Sequence, residues 1–502
     1  MSKLPSSFPH AMYTPPGANP NELGDITVID HAGQIHLFHL TLPNHDVVAH
    51  AVSDDGITFQ PVASAIHIGA AGECDDDMIW TMHVIRHPRR KLFHMYYTGC
   101  SLAENGQFQR VALATSTDLS HWRKHPGNPV LEPRPPHYNN DLHRVGFVSF
   151  RDPFVFVDER GLWHMLVTGR TPTGSRFRSG CVVHATSKDG LRWQLQKPLY
   201  APSHFEDLEV ASYLRNGDRH AIFFNHFLVC DGLCRVANSL DGPWVPPTRE
   251  LLLPRGNVVF RFCQWKGRTL LYHWLMSKAD WSRRGGSGAT FFALPAPKEV
   301  EWDNDGNPAL RSFSGWSRFH RGRQETLTAA SFRSVEGDAG AWRKSADGSL
   351  LGSANGQAIA THRAECDHFS AEFTLTLVSG RAAGLVFRGD DRLEIANLLR
   401  FDYNQQTVEL HKWDRYDSSH NRFKSIQPTL LQSLPAKLTH GVPVHVSVLA
   451  CCEYIEVSLD GIVYLCASTY RAQRGRFGWL VENGAAVFSD LRVQPLRVPQ
   501  QP

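Results

Sequence analysis

The sequence predicts an all-β chain in which a five-bladed β-propeller is followed by an antiparallel β-sandwich, and three observations predict it. A Ser-x-Asp turn with an aromatic residue just beyond it occurs four times, a strand carrying an aliphatic-aromatic-His triplet recurs alongside it, and no long amphipathic helical pattern interrupts the series. The turns are Ser53/Asp55/Phe59, Ser116/Asp118/Trp122, Ser187/Asp189/Trp193 and Ser239/Asp241/Trp244. Each follows a β-prone run (Val47 to Val52, Val111 to Thr115, Cys181 to Thr186 and Cys234 to Asn238), so each reads as a third strand, a tight turn and a fourth strand. The upstream triplets are Leu37-Phe38-His39, Leu92-Phe93-His94, Leu162-Trp163-His164 and Leu271-Tyr272-His273, with Ala221-Ile222-Phe223-Phe224 as the variant. Spacings of about 50 to 70 residues leave room for four strands per unit, and five such units arranged radially close a propeller over residues 1–315. The last unit, from about Val258 to Leu310, has no clean Ser-x-Asp copy.

From about Ser312 the texture changes to alternating strands without that signature: Phe369 to Leu377, Ala383 to Phe387, Thr407 to Lys412, Val444 to Leu449, Tyr454 to Ser458, Ile462 to Cys466 and Ala486 to Val493. Asp460-Gly461 between two of them is a strong hairpin signal. These strands predict a concanavalin-like sandwich over residues 325–497.

Composition narrows the partners. A chain of 502 residues exceeds one ordinary core, and 39 Gly, 30 Pro and 11% aromatics suit short strands and turns. With 52 basic against 49 acidic residues there is no electrostatic footprint for nucleic acid, so a small neutral partner is expected, and homo-oligomerisation is left open. No run of eighteen apolar residues suggests a membrane span, and Met1 to Gly17 does not resemble a signal peptide, which makes the cytoplasm the expected location. The ten cysteines form no C-x-x-C pair and are expected to be reduced; Cys451 and Cys452, adjacent on one strand, should point to opposite faces. Recurrence of His39, His94, His164 and His273 in separate blades argues for packing, and Arg284-Gly285-Gly286-Ser287-Gly288 lacks the strand-to-helix context of a phosphate cradle. Neither a metal nor a cofactor is expected.

The chemistry centres on Phe150-Arg151-Asp152-Pro153-Phe154-Val155-Phe156. Proline tends to open a strand, which would set Asp152 at the strand start beside an Arg suited to sugar hydroxyls or a carboxylate. First strands line a propeller's axis, here Asp25 to Ile29, Met78 to Met82, Asp152 to Val157 and Glu209 to Tyr213. Asp25 lies fourteen residues before His39, Asp152 twelve before His164 and Glu209 fourteen before Phe223, even spacings that keep one face in a period-two structure. Three converging carboxylates perturb one another, and a protonated acid beside an ionised one is equipment for cleaving a glycosidic bond. Glu209, among Leu208, Val210 and Ala211, is the expected general acid, with Asp207 the alternative; Asp25 is the nucleophile, or the base of an inverting reaction; Asp152 and Arg151 hold the sugar. Asp77, ending the run Glu73 to Asp77 ahead of a first strand, is a further candidate for hydroxyl binding.

The order Asp25, Arg151-Asp152-Pro153, Glu209 resembles the five-bladed furanosidases of glycoside hydrolase family 32, and next those of family 43. The family 32 resemblance implies an Asp25 nucleophile, transition-state stabilisation by Asp152, an acid/base at Glu209, retention of configuration and a C-terminal β-sandwich. It also matches the family's second-blade Trp-Ser-Gly-Ser segment to Trp80-Thr81, making Trp80 a substrate contact. The chain departs from the family at Gly24 and Ile26 around the first Asp, at Leu40 where a sugar-contacting Gln is usual, and at Val210 where the acid is usually followed by Cys. Hydrolysis of β-fructofuranosides or a related furanoside is therefore expected. The alternatives are a family 43-like inverting arabinofuranosidase or xylosidase, and a sugar-binding propeller that cleaves nothing.

Overall fold

The computed structural model describes residues 10–15, 23–226, 229–278, 290–328, 331–336, 341–417, 424–469, 472–489 and 491–501. The first nine residues and the loop Arg284–Gly288 lie outside them. One compact unit comprises Tyr13–Met276 and Thr290–Ala309, and Leu310–Gln500 falls in a second.

In the first unit the first four blades are antiparallel meanders in which sequence neighbours pair directly, and in the fifth one short strand pairs off the main path. The first blade holds β1 (Leu23–His31), β2 (Gln34–Thr41), β3 (Val47–Ser53) and β4 (Gln60–His67). The second holds β5 (Met78–Arg86), β6 (Phe93–Cys100), β7 (Gln109–Ser116) and β8 (Arg123–Lys124), and the third β9 (Phe150–Val157), β10 (Trp163–Arg170), β11 (Gly180–Ser187) and β12 (Gln194–Leu195). The fourth is built on β13 (Glu209–Asn216), β14 (Arg219–His226) and β15 (Asp231–Ala237). The fifth contains β16 (Asn257–Trp265), β17 (Arg268–Lys278), β18 (Thr290–Ala293), β19 (Lys298–Trp302) and β20 (Pro308–Ser312).

In the second, third and fourth blades the outermost strands are shorter than the repeat suggests. β8 and β12 have two residues each, and the fourth blade's edge consists of single bridges, Val236 to Val245 and Leu233 to Leu251. Prolines 126, 129, 198, 243, 246 and 247 cluster there, and a residue without an N–H cannot extend a ladder. The Ser-x-Asp turns brace these corners. In the first copy Asp55 accepts from the N–H of Ile57 and Thr58 at 2.8 and 2.7 Å while Ser53 accepts from Gly56 at 2.9 Å; the second and third copies repeat the scheme. Apolar faces of adjacent blades interleave: Phe38, Leu40 and Val48 meet Ile79 and Met82, and Phe154, Leu166 and Val182 meet Leu208, Ala211 and Ile222. The fifth blade closes on the first through Trp265 to Gly33 O and Tyr272 to Gly56 O, both 2.9 Å.

Recurrent histidines are buried and bonded locally. His39 lies 3.2 Å from the Tyr13 hydroxyl, His94 stacks on Trp163, His164 on Phe156, and His273 lies 2.9 Å from Trp274 O.

The second unit is a β-sandwich whose long strands Leu350–Cys366, Phe369–Gly389 and Gly475–Phe488 carry bulges and keep its hydrogen bonding continuous. The expected strands Phe369 to Leu377 and Ala383 to Phe387 are two halves of one strand, which passes through a bulge between Leu377 and Ser379 instead of turning at Ser379-Gly380. The expected Ala486 to Val493 divides between Gly475–Phe488 and Leu491–Pro495. Asp460-Gly461 forms the hairpin turn, both residues at positive φ. Cys451 and Cys452 do not take opposite faces. The strand ends at Cys451, Cys452 turns left-handed with φ +48°, and both sulfurs fall within 4.8 Å of a His368 ring nitrogen.

Candidate active site

Each of the five axial strands holds one residue too many for its neighbour. Leu23 pairs with Thr41 but Ile26 with His39; Trp80 pairs with Thr98 but Met82 with Tyr97; Arg151 pairs with Thr168 but Phe154 with Leu166. Likewise Glu209 pairs with Asn225 but Ser212 with Phe223, and Val258 with Trp274 but Arg261 with Tyr272. Such a bulge bends the strand and re-aims its side chains. Asp152, Val210 and Val259 occupy it with φ of +62°, +51° and +60°. Asp tolerates that region; a β-branched Val there is an outlier of about 1–3 kcal/mol, a strain met most often at functional sites.

The bulges correct two expectations. Pro153 does not open β9, which begins at Phe150; it sits in the bulge, where no ladder donor is required. Even spacing does not align the acids either, because the extra residue breaks the period of two. Counted back from the first pair beyond the bulge, Asp25 is one residue away, Asp152 two and Glu209 three, and they meet because the backbone turns differently beneath each. The His triplets are likewise out of register from blade to blade: His39 pairs across the ladder with Ile26, beside the bulge, but His164 with Phe156.

All three acids line one cavity of about 300 Å³, with Arg151, Thr81 and Trp80. Asp152 is fixed from three blades. Its N–H donates to Thr98 Oγ1 at 2.9 Å, and its Oδ2 lies 3.0 Å from the Thr168 hydroxyl and accepts the Val210 N–H at 3.1 Å. Asp25 accepts a hydrogen bond from Thr81. Burial, followed by the charge of Asp152, pushes its carboxyl above the usual range, against the Thr81 bond and the guanidinium groups of Arg261 and Arg151. Glu209 is bonded to Arg151, yet its carboxyl is also raised, since burial outweighs that cation and Asp152 adds to the rise.

Arg151 binds more carboxylate than Glu209. Its Nη2 is 3.1 Å from Asp207, its Nε 3.5 Å from Asp152, and its Nη1 3.3 Å from Gln109. Asp207 also receives Arg170 Nε at 2.8 Å and Nη2 at 2.9 Å. Burial would raise the Asp207 carboxyl, but Arg151 and Arg170 overcome it and hold it low. Asp207 is therefore an ionised anchor for Arg151 and is unsuited to act as an acid.

A second cavity of about 560 Å³ shares Trp80, Arg151 and Glu209 with the first and is walled by Met78, Phe147, Arg176, Glu206 and Asp207. Asp77 lines neither cavity. Its neighbours are also spent on loop structure: Asp75 binds Tyr97 and Lys124, and Asp76 caps Leu102 and Gly72. Sequence reasoning missed Asn225 and Trp274, both in the first cavity. They share the register position of Thr98 and Thr168, opposite the residue before each bulge, a signal that can be read only once the bulges are known. Hydrophobic Leu42, Met276 and Phe292 complete the wall. Among the described residues the one trio that could ligate a metal is His368 with Cys451 and Cys452 in the sandwich, and His368 Nδ1 already accepts the Cys452 N–H at 3.0 Å.

Residues 19–214 match the family model described as the glycosyl hydrolases family 32 N-terminal domain. The chain is 27% identical over 181 residues to a cell wall β-fructofuranosidase of Pisum sativum, covering 34% of this chain and 30% of that protein. It is 31% identical over 169 residues to an insoluble β-fructofuranosidase isoenzyme of Arabidopsis thaliana, covering 33% and 26%. The matched stretch thus spans less than a third of either curated relative. Fructan 1-exohydrolase IIa from Cichorium intybus superposes with a TM-score of 0.73 at 15% identity, covering 100% of this chain and 99% of that one, which establishes a shared fold.

Proposed function

We propose, on the premise that residues 19–214 form a family 32 glycoside hydrolase N-terminal domain, that this chain hydrolyses β-fructofuranosides with retention of configuration. One observation carries the reading: Asp25, Asp152 and Glu209, from three different blades, line a single cavity beside Arg151. The Asp25 carboxylate attacks the anomeric carbon while Glu209 gives its proton to the leaving oxygen, so the glycosidic bond breaks as a glycosyl ester forms. Water then adds at the same carbon, Glu209 takes its proton, and Asp25 is released. Asp152, held by Thr168 and the Val210 N–H, faces the positive charge that develops on the ring.

The raised Glu209 carboxyl supports its role as proton donor near neutral pH. Its position supports it as well: Glu209 lines both cavities and Asp25 only the smaller one, which leaves the larger chamber on the leaving-group side.

Two measurements test the proposal. Asp25→Asn should lower kcat on sucrose by roughly 10⁴-fold or more and Glu209→Gln by about 10²- to 10⁴-fold, with the fold retained by circular dichroism. Reaction in aqueous methanol should release methyl β-fructofuranoside, because retention delivers methanol to the face the leaving group left. Formation of the α anomer would transfer the assignment to an inverting reaction, and wild-type activity persisting in both variants would end it.

A further inference from the structure

One buried cation close enough to feel Asp25 and Asp152 takes no part in the proposed reaction. Arg261, on β16, is 1% exposed, and its Nη1 donates to Val210 O and Ala211 O at 3.3 Å and to Ser212 Oγ at 2.6 Å. Those acceptors are the residues of the fourth-blade bulge, immediately after Glu209. The Ser212 hydroxyl in turn donates to Phe260 O at 2.6 Å, so the fourth and fifth bulges are tied in both directions. Nε and Nη2 of Arg261 are buried without a hydrogen-bond partner.

The surrounding charges give this guanidinium a second consequence. Asp25 and Asp152 both feel its charge. Arg151 is divided among Asp152, Asp207 and Glu209, and Arg170 is taken by Asp207 and Glu206. Asp25 has no cation in contact among the described residues; its bonded partner is the Thr81 hydroxyl on β5. The nearby histidines add no positive charge. Burial holds His83 on β5 neutral, with Arg261 assisting, and burial and Lys298 do the same for His273 on β17.

We propose that Arg261 is a positioning residue for the reaction: it grips the bulge that aims Glu209, and it adds buried positive charge near Asp25 and Asp152. A free backbone would have no reason to keep Val210 left-handed, and the contacts of Arg261 Nη1 with Val210 O, Ala211 O and Ser212 Oγ, together with the Val210 N–H to Asp152, hold the turn from which Glu209 projects. The same charge offsets the repulsion between Asp25 and Asp152, so that Asp25 reaches its ionised, attacking form at lower pH.

The inference rests on the fructofuranosidase reading, and sucrose turnover by the wild-type chain tests that reading by itself. If the wild type cleaves no β-fructofuranoside, the reading fails and this inference falls with it. Given an active wild type, Arg261→Met should lower kcat about 10²-fold with KM within roughly threefold, and should move the acid limb of the kcat/KM profile upward by about one pH unit. Arg261→Lys keeps the charge but is too short to put a nitrogen at the Nη1 position, so kcat should fall about tenfold or more while the acid limb stays in place. Should the Met variant fail to fold, the Lys variant decides alone. A wild-type kcat, or an acid limb displaced with the charge still present, overturns the inference, as does an Arg261→Met profile that superposes on the wild type.

Discussion

Glu209 and Asp207 are separated by one residue and share Arg151, yet their environments push them in opposite directions. Asp207 faces two guanidinium groups and is held as a carboxylate; Glu209 shares one of them, sits near Asp152 and is pushed up by burial. That contrast puts a fixed anion and a carboxyl with a raised pKa two residues apart. Raised carboxyls also cost stability. Asp25 and Glu209 keep protons in the native state that the unfolded chain has released, so their favourable contribution is complete below the unfolded carboxyl value of about 4 and is lost as pH rises through the native values. Asp25→Asn removes one such group. Its melting temperature relative to wild type should therefore rise as buffer pH goes from 5 to 8, and differential scanning calorimetry at the two values checks the sign. An offset that is constant with pH would mean that Asp25 titrates normally.

At the scale of the element, the axial bulge is the working part. It places Asp152 left-handed, where blades two, three and four all reach it, and Thr168 is the cleanest place to test that arrangement. Thr168→Val keeps the shape of the side chain and removes a donor 3.0 Å from the buried Asp152 Oδ2. A buried acceptor left one bond short costs about 1–3 kcal/mol. If the loss falls mainly on the transition state, kcat drops roughly tenfold or more with KM little changed, which steady-state kinetics on sucrose would show. The alternation that located the blades could not have revealed this feature. A bulge adds one residue without changing the composition of a strand, and Arg-Asp-Pro reads equally well as a strand start or a strand interior.

For the propeller as a whole, stability depends on joining the last blade to the first. Tyr272, fully buried, reaches from the fifth blade to Gly56 O in a Ser-x-Asp turn of the first, and Trp265 reaches Gly33 O. Tyr272→Phe strands that carbonyl, at about 1–2 kcal/mol, and should lower the melting temperature by roughly 2–4 °C while leaving kcat within about twofold. Equal losses of activity and stability would show that the seam extends to the site. Trp274 serves both purposes, donating to Gly24 O next to Asp25 and forming part of the cavity wall.

Five units, their turns, a second region of strands and the candidate set Asp25, Asp152, Glu209 and Arg151, which the fold brings to one cavity, were legible in the sequence, because strand periodicity, Ser-x-Asp turn chemistry and an Arg-Asp-Pro triplet are local properties of the chain. Asp77 was misplaced for a related reason: a run of acids has the same composition whether it braces a loop or faces a cavity. The tertiary structure alone decided that Asp207 is held as a carboxylate between two guanidinium groups, how an extra residue in each axial strand brings unequal positions together, and that a buried Arg261 lies close to them. Those outcomes depend on desolvation and on charges contributed by other blades, which no stretch of sequence contains.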